Sequence, residues 1–193
     1  ESYVLCGKFG DFAGFDAIKN AGFDAVDYSY YWNNECERVL GDGYITYARS
    51  LREHLDAIGL ECNQAHAPFS LPYTEGFSES NQKYLYLVRS LESAAILGAK
   101  VIVVHALSVP ENVNFEEYNI RFYKSLIPYC EKFGICVAVE NLFRFDPKRK
   151  HAIGKIGSPD ELNRIVHTIN SPFIVACIDV GHASLTGFEP EDF

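Results

Sequence analysis

The sequence predicts an α/β fold of the (β/α)8 TIM barrel class, with about six of the eight β/α units inside these 193 residues. Three observations carry that expectation. Short apolar runs rich in Val, Ile and Cys alternate with helical patterns along the chain. Helix-to-strand joints are tight, while strand-to-helix joints are long and irregular. No Gly-rich phosphate fingerprint follows any of the runs, which weakens the doubly wound alternative that shares the same alternation.

The expected strands are Tyr3–Cys6, Ala25–Tyr28, Leu60–His66, Val101–His105, Ile135–Glu140 and Phe173–Asp179. Each is nearly continuous in apolar character, as a strand covered on both faces should be. From the second run onward they recur at roughly 35–40 residues, the size of a βαβ unit. Between them, Tyr47, Leu51, Leu55 and Ile58 form one helical stripe closed by Gly59. Tyr84, Val88, Leu91 and Ala95 form a second, closed by Gly98. Asn114 caps a third helix, whose face carries Phe115, Tyr118, Phe122, Leu126, Tyr129 and Phe133; Pro128 should kink or restart it. Ser158-Pro159-Asp160-Glu161 is a capping box opening a fourth. The long joints Ser29–Gly43, Ala67–Ser80, Ala106–Val113 and Asn141–Gly157 all follow strands. They place any site at the C-terminal ends of a parallel sheet.

Composition narrows the function. Apolar residues make up 48% of the chain and charged ones 22%, which supports a packed core and excludes a disordered chain. Seventeen basic against 26 acidic residues give a net charge of −9, which opposes nucleic-acid binding. No apolar run approaches the roughly 20 residues of a membrane span, and the first residues lack a signal-peptide layout. The six cysteines are scattered without a CxxC pair, so the expectation is a reducing, cytoplasmic setting. The chain contains no Met and closes on Glu189–Phe193, which reads like the opening of a helix. Residues 1–193 are therefore expected to be one barrel domain that is C-terminally incomplete, two units short of a barrel of about 270 residues.

The chemistry sits where apolar runs end in a polar side chain. One run ends in Gln64-Ala65-His66, the next in Val104-His105, the next in Val139-Glu140-Asn141, and the last in Ile178-Asp179-Val180-Gly181-His182. Burying a carboxylate or imidazole there costs several kcal/mol unless it is paired or bound to metal. Strand ends converge in a barrel, so these groups can meet around one axis. His, Glu, Asp and His are donors for a borderline divalent ion such as Zn, Mn, Co or Fe. An ion held by carboxylates polarises a carbonyl, and a neighbouring carboxylate can move the proton on the adjacent carbon. That is the chemistry of ketose epimerisation and aldose–ketose isomerisation.

In their order along the chain, His66-Ala67-Pro68-Phe69, Val103-Val104-His105, Val139-Glu140-Asn141-Leu142 and Ile178-Asp179-Val180-Gly181-His182-Ala183 resemble the xylose-isomerase-like TIM barrel superfamily. That group holds sugar-phosphate isomerases and epimerases, and also the AP endonuclease family 2 enzymes related to endonuclease IV. The resemblance implies that Glu140 and Asp179 bind a divalent metal ion (Mn, Zn, Co or Mg), with Glu140 also serving as catalytic acid/base. It implies that His182 binds substrate or a second metal, and that His66 and His105 line the substrate pocket, or ligate metal in the endonuclease branch. Two further ligands, a His and a second catalytic Glu from later strands, would lie beyond Phe193.

Plainer roles stand beside these. Glu140 can cap the next segment or pair with Arg144 or Lys148, and Asp179 with His182 can be a structural pair. Trp32 reads either as loop packing or as an apolar lid over a bound sugar. The basic run Arg144–His151 is a solvated loop or a phosphate site. The leading expectation is a metal-dependent isomerase acting on a small-molecule sugar or sugar phosphate, with no nucleic acid and no membrane, and with homo-oligomerisation left open. The alternatives are an endonuclease IV-like zinc phosphodiesterase and a non-catalytic sugar-binding barrel.

Overall fold

The computed structural model describes residues 1–30, 36–69, 71–146 and 151–193. Five strands form one parallel sheet in the spatial order of the sequence: β1 (Ala25–Ser29), β2 (Glu61–His66), β3 (Val101–Val103), β4 (Cys136–Glu140) and β7 (Ile174–Cys177). Helices α4 (Tyr44–Ile58), α5 (Gln82–Leu97), α6 (Phe115–Phe133) and α7 (Pro159–Ile169) pack side by side on its outer face. Consecutive strands that neighbour each other, each joined by an outer helix, are the arrangement of a TIM barrel wall.

The expected first strand, Tyr3–Cys6, is instead the start of helix α1 (Tyr3–Phe9). Four apolar residues cannot by themselves distinguish strand from helix. Tertiary packing decides the matter: Cys6 is buried and lies so close to Gly14 of α2 (Asp11–Asn20) that a Cβ at Gly14 would meet Cys6 Sγ at 2.7 Å. Strand pairing survives only at Ser2, whose N–H donates to Asp27 O at 2.8 Å. A second departure lies after β4. That segment holds an antiparallel hairpin, β5 (Leu142–Asp146) and β6 (His151–Lys155), where the sequence suggests only a loop. Short helices α3 (Cys36–Leu40) and α8 (Val180–Thr186) follow β1 and β7 along the chain.

The helix signals read from sequence reappear as geometry. Ser158 and Glu161 form a reciprocal capping box, and Asn114 accepts from the backbone N–H of Glu117. Pro128 neither breaks nor restarts α6, which runs unbroken from Phe115 to Phe133. Pro128 and Lys124 are both exposed, so the Lys124 carbonyl that loses its partner faces water. The opposite face buries Phe122, Leu126 and Cys130, which holds the helix in place.

The tight helix-to-strand joints depend on left-handed residues, and Gly98 is the most constrained of them. Its φ is 102°, and a Cβ there would lie 2.1 Å from Arg52 Nη1, which donates to Leu97 O. A Cβ at Gly59, where φ is 66°, would meet nothing within 4 Å. Gly59→Ala should therefore cost about 1–2 kcal/mol, the left-handed penalty alone. Gly98→Ala should cost more, because the Arg52 contact is lost as well. Urea midpoints for the two variants measure the difference, and equal midpoints would contradict it.

Candidate active site

The register of the sheet puts the polar strand ends on one face. Ser29 pairs with His66, His66 with Val103, Val103 with Ala138, and Glu140 with Cys177. Side chains alternate along a strand, so residues two apart share a face. Asp27, His66, His105, Glu140 and Asp179 each lie level with a residue of the same face on the neighbouring strand, or two positions from it. Moving across the sheet, the polar position advances by two residues from Asp27 to His66, by two to His105, by none to Glu140 and by two to Asp179. Strands tilted to a barrel axis require such a stagger.

Glu140 is the centre of the group. It is 4% exposed, and its Oε2 stands 2.7 Å from His105 Nε2. That contact is close enough for an ion pair but is not aligned as a hydrogen bond, and among the described residues Oε2 has no hydrogen-bond partner. Glu140 Oε1 lies 3.6 Å from His182 Nδ1. A buried carboxylate oxygen left in this condition is costly, and a cation is what usually relieves the cost.

Asn141 joins the fourth strand end to the last. Its Oδ1 accepts from Asp179 N at 2.6 Å, its Nδ2 donates to Asp179 O at 3.0 Å, and its backbone oxygen lies 2.9 Å from His182 Nδ1. A carbonyl only accepts, so Nδ1 of His182 is the donor in that contact. Asp179 Oδ1 caps α8 by accepting from His182 N at 2.7 Å. Phe143 packs against the His182 ring, with centroids 5.0 Å apart.

The other flank is built from β1 to β3. His66 Nδ1 lies 2.8 Å from Asp27 Oδ2, which also accepts from Gln64 Nε2 at 2.7 Å. The His66 and His105 rings meet edge to face at 6.3 Å, and Phe69 stacks on His105 at 4.3 Å. Two sets of donor atoms lie within 4.8 Å of one another and share Glu140: Glu140 with Asp179 and His182, and Glu140 with His66 and His105. The donor chemistry fits a divalent ion. Asp27 and the Asn141 carbonyl hold His66 and His182 by their Nδ1 atoms, the support that metal-bound histidines usually have. Cys177 lies nearby, but burial and the Glu140 and Asp179 charges push its thiol up to about 11, so it is not a ready thiolate nucleophile.

All five strand-end residues singled out from sequence (His66, His105, Glu140, Asp179 and His182) come together here. Trp32, and positions 147–150 of the basic run, lie outside the described residues. The sequence reading missed Asp27 and Asn141. Asp27 left a signal, an acid inside the otherwise buried run Ala25–Ser29. Asn141 had only its place beside Glu140.

Burial alone would lower the His66 pKa. The hydrogen bond and charge of Asp27, aided by Glu1 and Glu140, outweigh it and raise the pKa above the ordinary value. A raised pKa means that the protonated ring favours the native state. That contribution is complete below the ordinary value of about 6.5 and is lost as pH rises through the raised one. In the metal-free protein, Asp27→Asn should lower the His66 titration midpoint in ring-proton NMR. The stability deficit of the variant should be larger near pH 5 than near pH 8. An unchanged midpoint would show that Asp27 does not hold the ring.

A family model described as a xylose isomerase-like TIM barrel matches residues 15–192. An uncharacterized protein of Methanocaldococcus jannaschii is 28% identical over 188 residues, an alignment covering 92% of this chain and 58% of that protein. The chain thus spans less than two thirds of that relative's length. The crystal structure of a D-tagatose 3-epimerase-like protein superposes with a TM-score of 0.70 at 26% identity, over 94% of this chain and 65% of that one. The 3-keto-D-glucoside 4-epimerase of E. coli superposes with a TM-score of 0.65 at 16% identity, over 92% and 66%, a likeness of fold alone. With nearly its whole length matched by the family model, the chain belongs to the xylose isomerase-like TIM barrel family.

Proposed function

We propose that this chain carries part of the active site of a metal-dependent isomerase or epimerase acting on a small sugar or sugar phosphate. The observation that carries the reading is the buried Glu140 carboxylate, with one oxygen lacking a hydrogen bond, among Asp179, His182 and His105 at the strand ends. Glu140 and Asp179 would hold the ion, with His66, His105 and His182 directed at substrate oxygens. A divalent ion bound there supplies the charge that polarises a substrate carbonyl and its neighbouring hydroxyl. The epimerase-like relative at 26% identity and the acidic net charge support sugar chemistry over a phosphodiesterase acting on DNA.

The protein's own part lies with Glu140, buried among the strand-end imidazoles. Its carboxylate would take the proton from the carbon next to the carbonyl. The electron pair of that C–H bond moves into the carbonyl system, and the imidazoles hold the oxygens that gain charge. Returning the proton to the adjacent carbon interconverts an aldose and a ketose. Delivering a proton to the opposite face of the original carbon epimerises a ketose and needs a second acid.

Glu140→Gln should keep the fold and reduce turnover by about 10²–10⁴-fold. Uptake of solvent deuterium at the carbon beside the carbonyl, followed by mass spectrometry over a panel of ketoses with Mn²⁺, reads this step. Wild-type exchange in that variant would end the proposal.

Asp179→Asn isolates the metal role, because Asn caps α8 as well as Asp does. The metal-free variant should match wild type in thermal stability, while its affinity for Mn²⁺ falls by at least about tenfold. Elemental analysis of wild type should find a single ion per chain. Three ions per chain, or unchanged affinity in the variant, would count against the reading.

A further inference from the structure

Strand β4 ends at Glu140, and the chain continues into β5, which pairs with β6 instead of β7. The link to the β7 segment nevertheless runs on past the strand. Asn141 N–H donates to Cys177 O at 3.3 Å, one rung beyond the Glu140–Cys177 pair. After that rung the Asn141 side chain replaces the departed backbone. Its amide carries the same C=O and N–H groups as a peptide unit. Oδ1 accepts from Asp179 N at 2.6 Å, and Nδ2 donates to Asp179 O at 3.0 Å. The main-chain oxygen of Asn141 accepts from His182 Nδ1 at 2.9 Å. One buried residue thus holds Cys177, Asp179 and His182 in turn.

We propose that Asn141 is a positioning residue for the ion site: its amide grips the Asp179 backbone and so sets the Asp179 carboxylate at a fixed distance from Glu140. This deepens the proposed function and rests on Glu140 and Asp179 as the ion's ligands. Both side-chain bonds go to the Asp179 backbone, so they fix the residue without occupying its carboxylate. The carboxylate is steadied separately, because Oδ1 accepts from His182 N at 2.7 Å. Asn141 directly follows Glu140, so the backbone that carries one ligand is tied to the backbone that carries the other. A ligand pair held in place before binding loses less order when the ion arrives. The amide is also chemically specified. Asp at this position offers no donor to Asp179 O, Gln carries the amide one methylene too far, and an apolar side chain leaves both Asp179 backbone groups without these partners.

The test uses the full-length protein with Mn²⁺ as probe, free Mn²⁺ being counted by electron paramagnetic resonance. Asn141→Ala should weaken Mn²⁺ binding about 10–100-fold, the usual cost of removing the support of a metal ligand. Loosened packing alone would also weaken binding, so the deciding measurement repeats the change in Asp179→Asn. There Asn141→Ala should shift the affinity by less than about twofold, because the carboxylate that it positions is already gone. Asn141→Ser keeps a hydroxyl for one of the two backbone bonds and serves if the alanine variant does not fold. It should show a smaller loss that likewise disappears in Asp179→Asn. Equal losses in the two backgrounds, or an affinity unchanged by whichever variant folds, would overturn the positioning role and leave the ion site of Glu140 and Asp179 standing. A wild-type protein that binds no Mn²⁺ would overturn this inference together with the reading on which it rests.

Discussion

The burial of the Glu140 carboxylate constrains everything around it. A charge removed from water at the end of a strand is tolerated only if the surroundings return most of the lost solvation. His105 on one side and His182 on the other supply part of that, at 2.7 and 3.6 Å, yet Oε2 lacks an aligned donor among the described residues. A structure optimised for stability alone would place an amide or an apolar residue here. Asp179 stands within reach, and the imidazoles of His66 and His182 are each held at Nδ1.

The sheet makes this arrangement inexpensive to build. A single side chain at the end of each strand is enough, because the parallel register carries successive ends past one another on the same face. The outer face holds the stability, with Tyr28 packed on Phe15 and the Tyr30 hydroxyl bonded to Ser93. Packing and chemistry therefore occupy opposite sides of the same strands, and helix variants such as those at Gly59 and Gly98 act on the first without reaching the second.

This division explains what the sequence made legible. Runs such as Ile135–Glu140 announce the strand, and the acid that closes the apolar stretch marks the end to which the proposed function assigns the chemistry. Capping boxes and left-handed glycines are local, so Ser158, Gly59 and Gly98 could be read without tertiary information. Tyr3–Cys6 could not, because its helix is decided by contact with Gly14, and four residues carry too little period to reveal it. The hairpin Leu142–Lys155 was hidden for a related reason: its two strands support each other, and nothing in either half shows the pairing. Asp27 lay in plain view but was unassignable, since its role exists only once β1 and β2 bring it beside His66.

Asn141 shows why the site holds together as a unit. Its amide bonds the backbone of Asp179 on both sides, while its own carbonyl fixes the His182 ring. The residue is 1% exposed, so each of these bonds is sheltered from competing water. Glu140 ends β4 and Asp179 caps α8 just past β7, with a hairpin, a helix and that strand between them in sequence. The buried amide next to one and bonded to the other converts that separation into a fixed distance. An ion site made of carboxylates would otherwise be pushed apart by their mutual repulsion, and a neutral, fully bonded clamp resists that push without adding charge of its own.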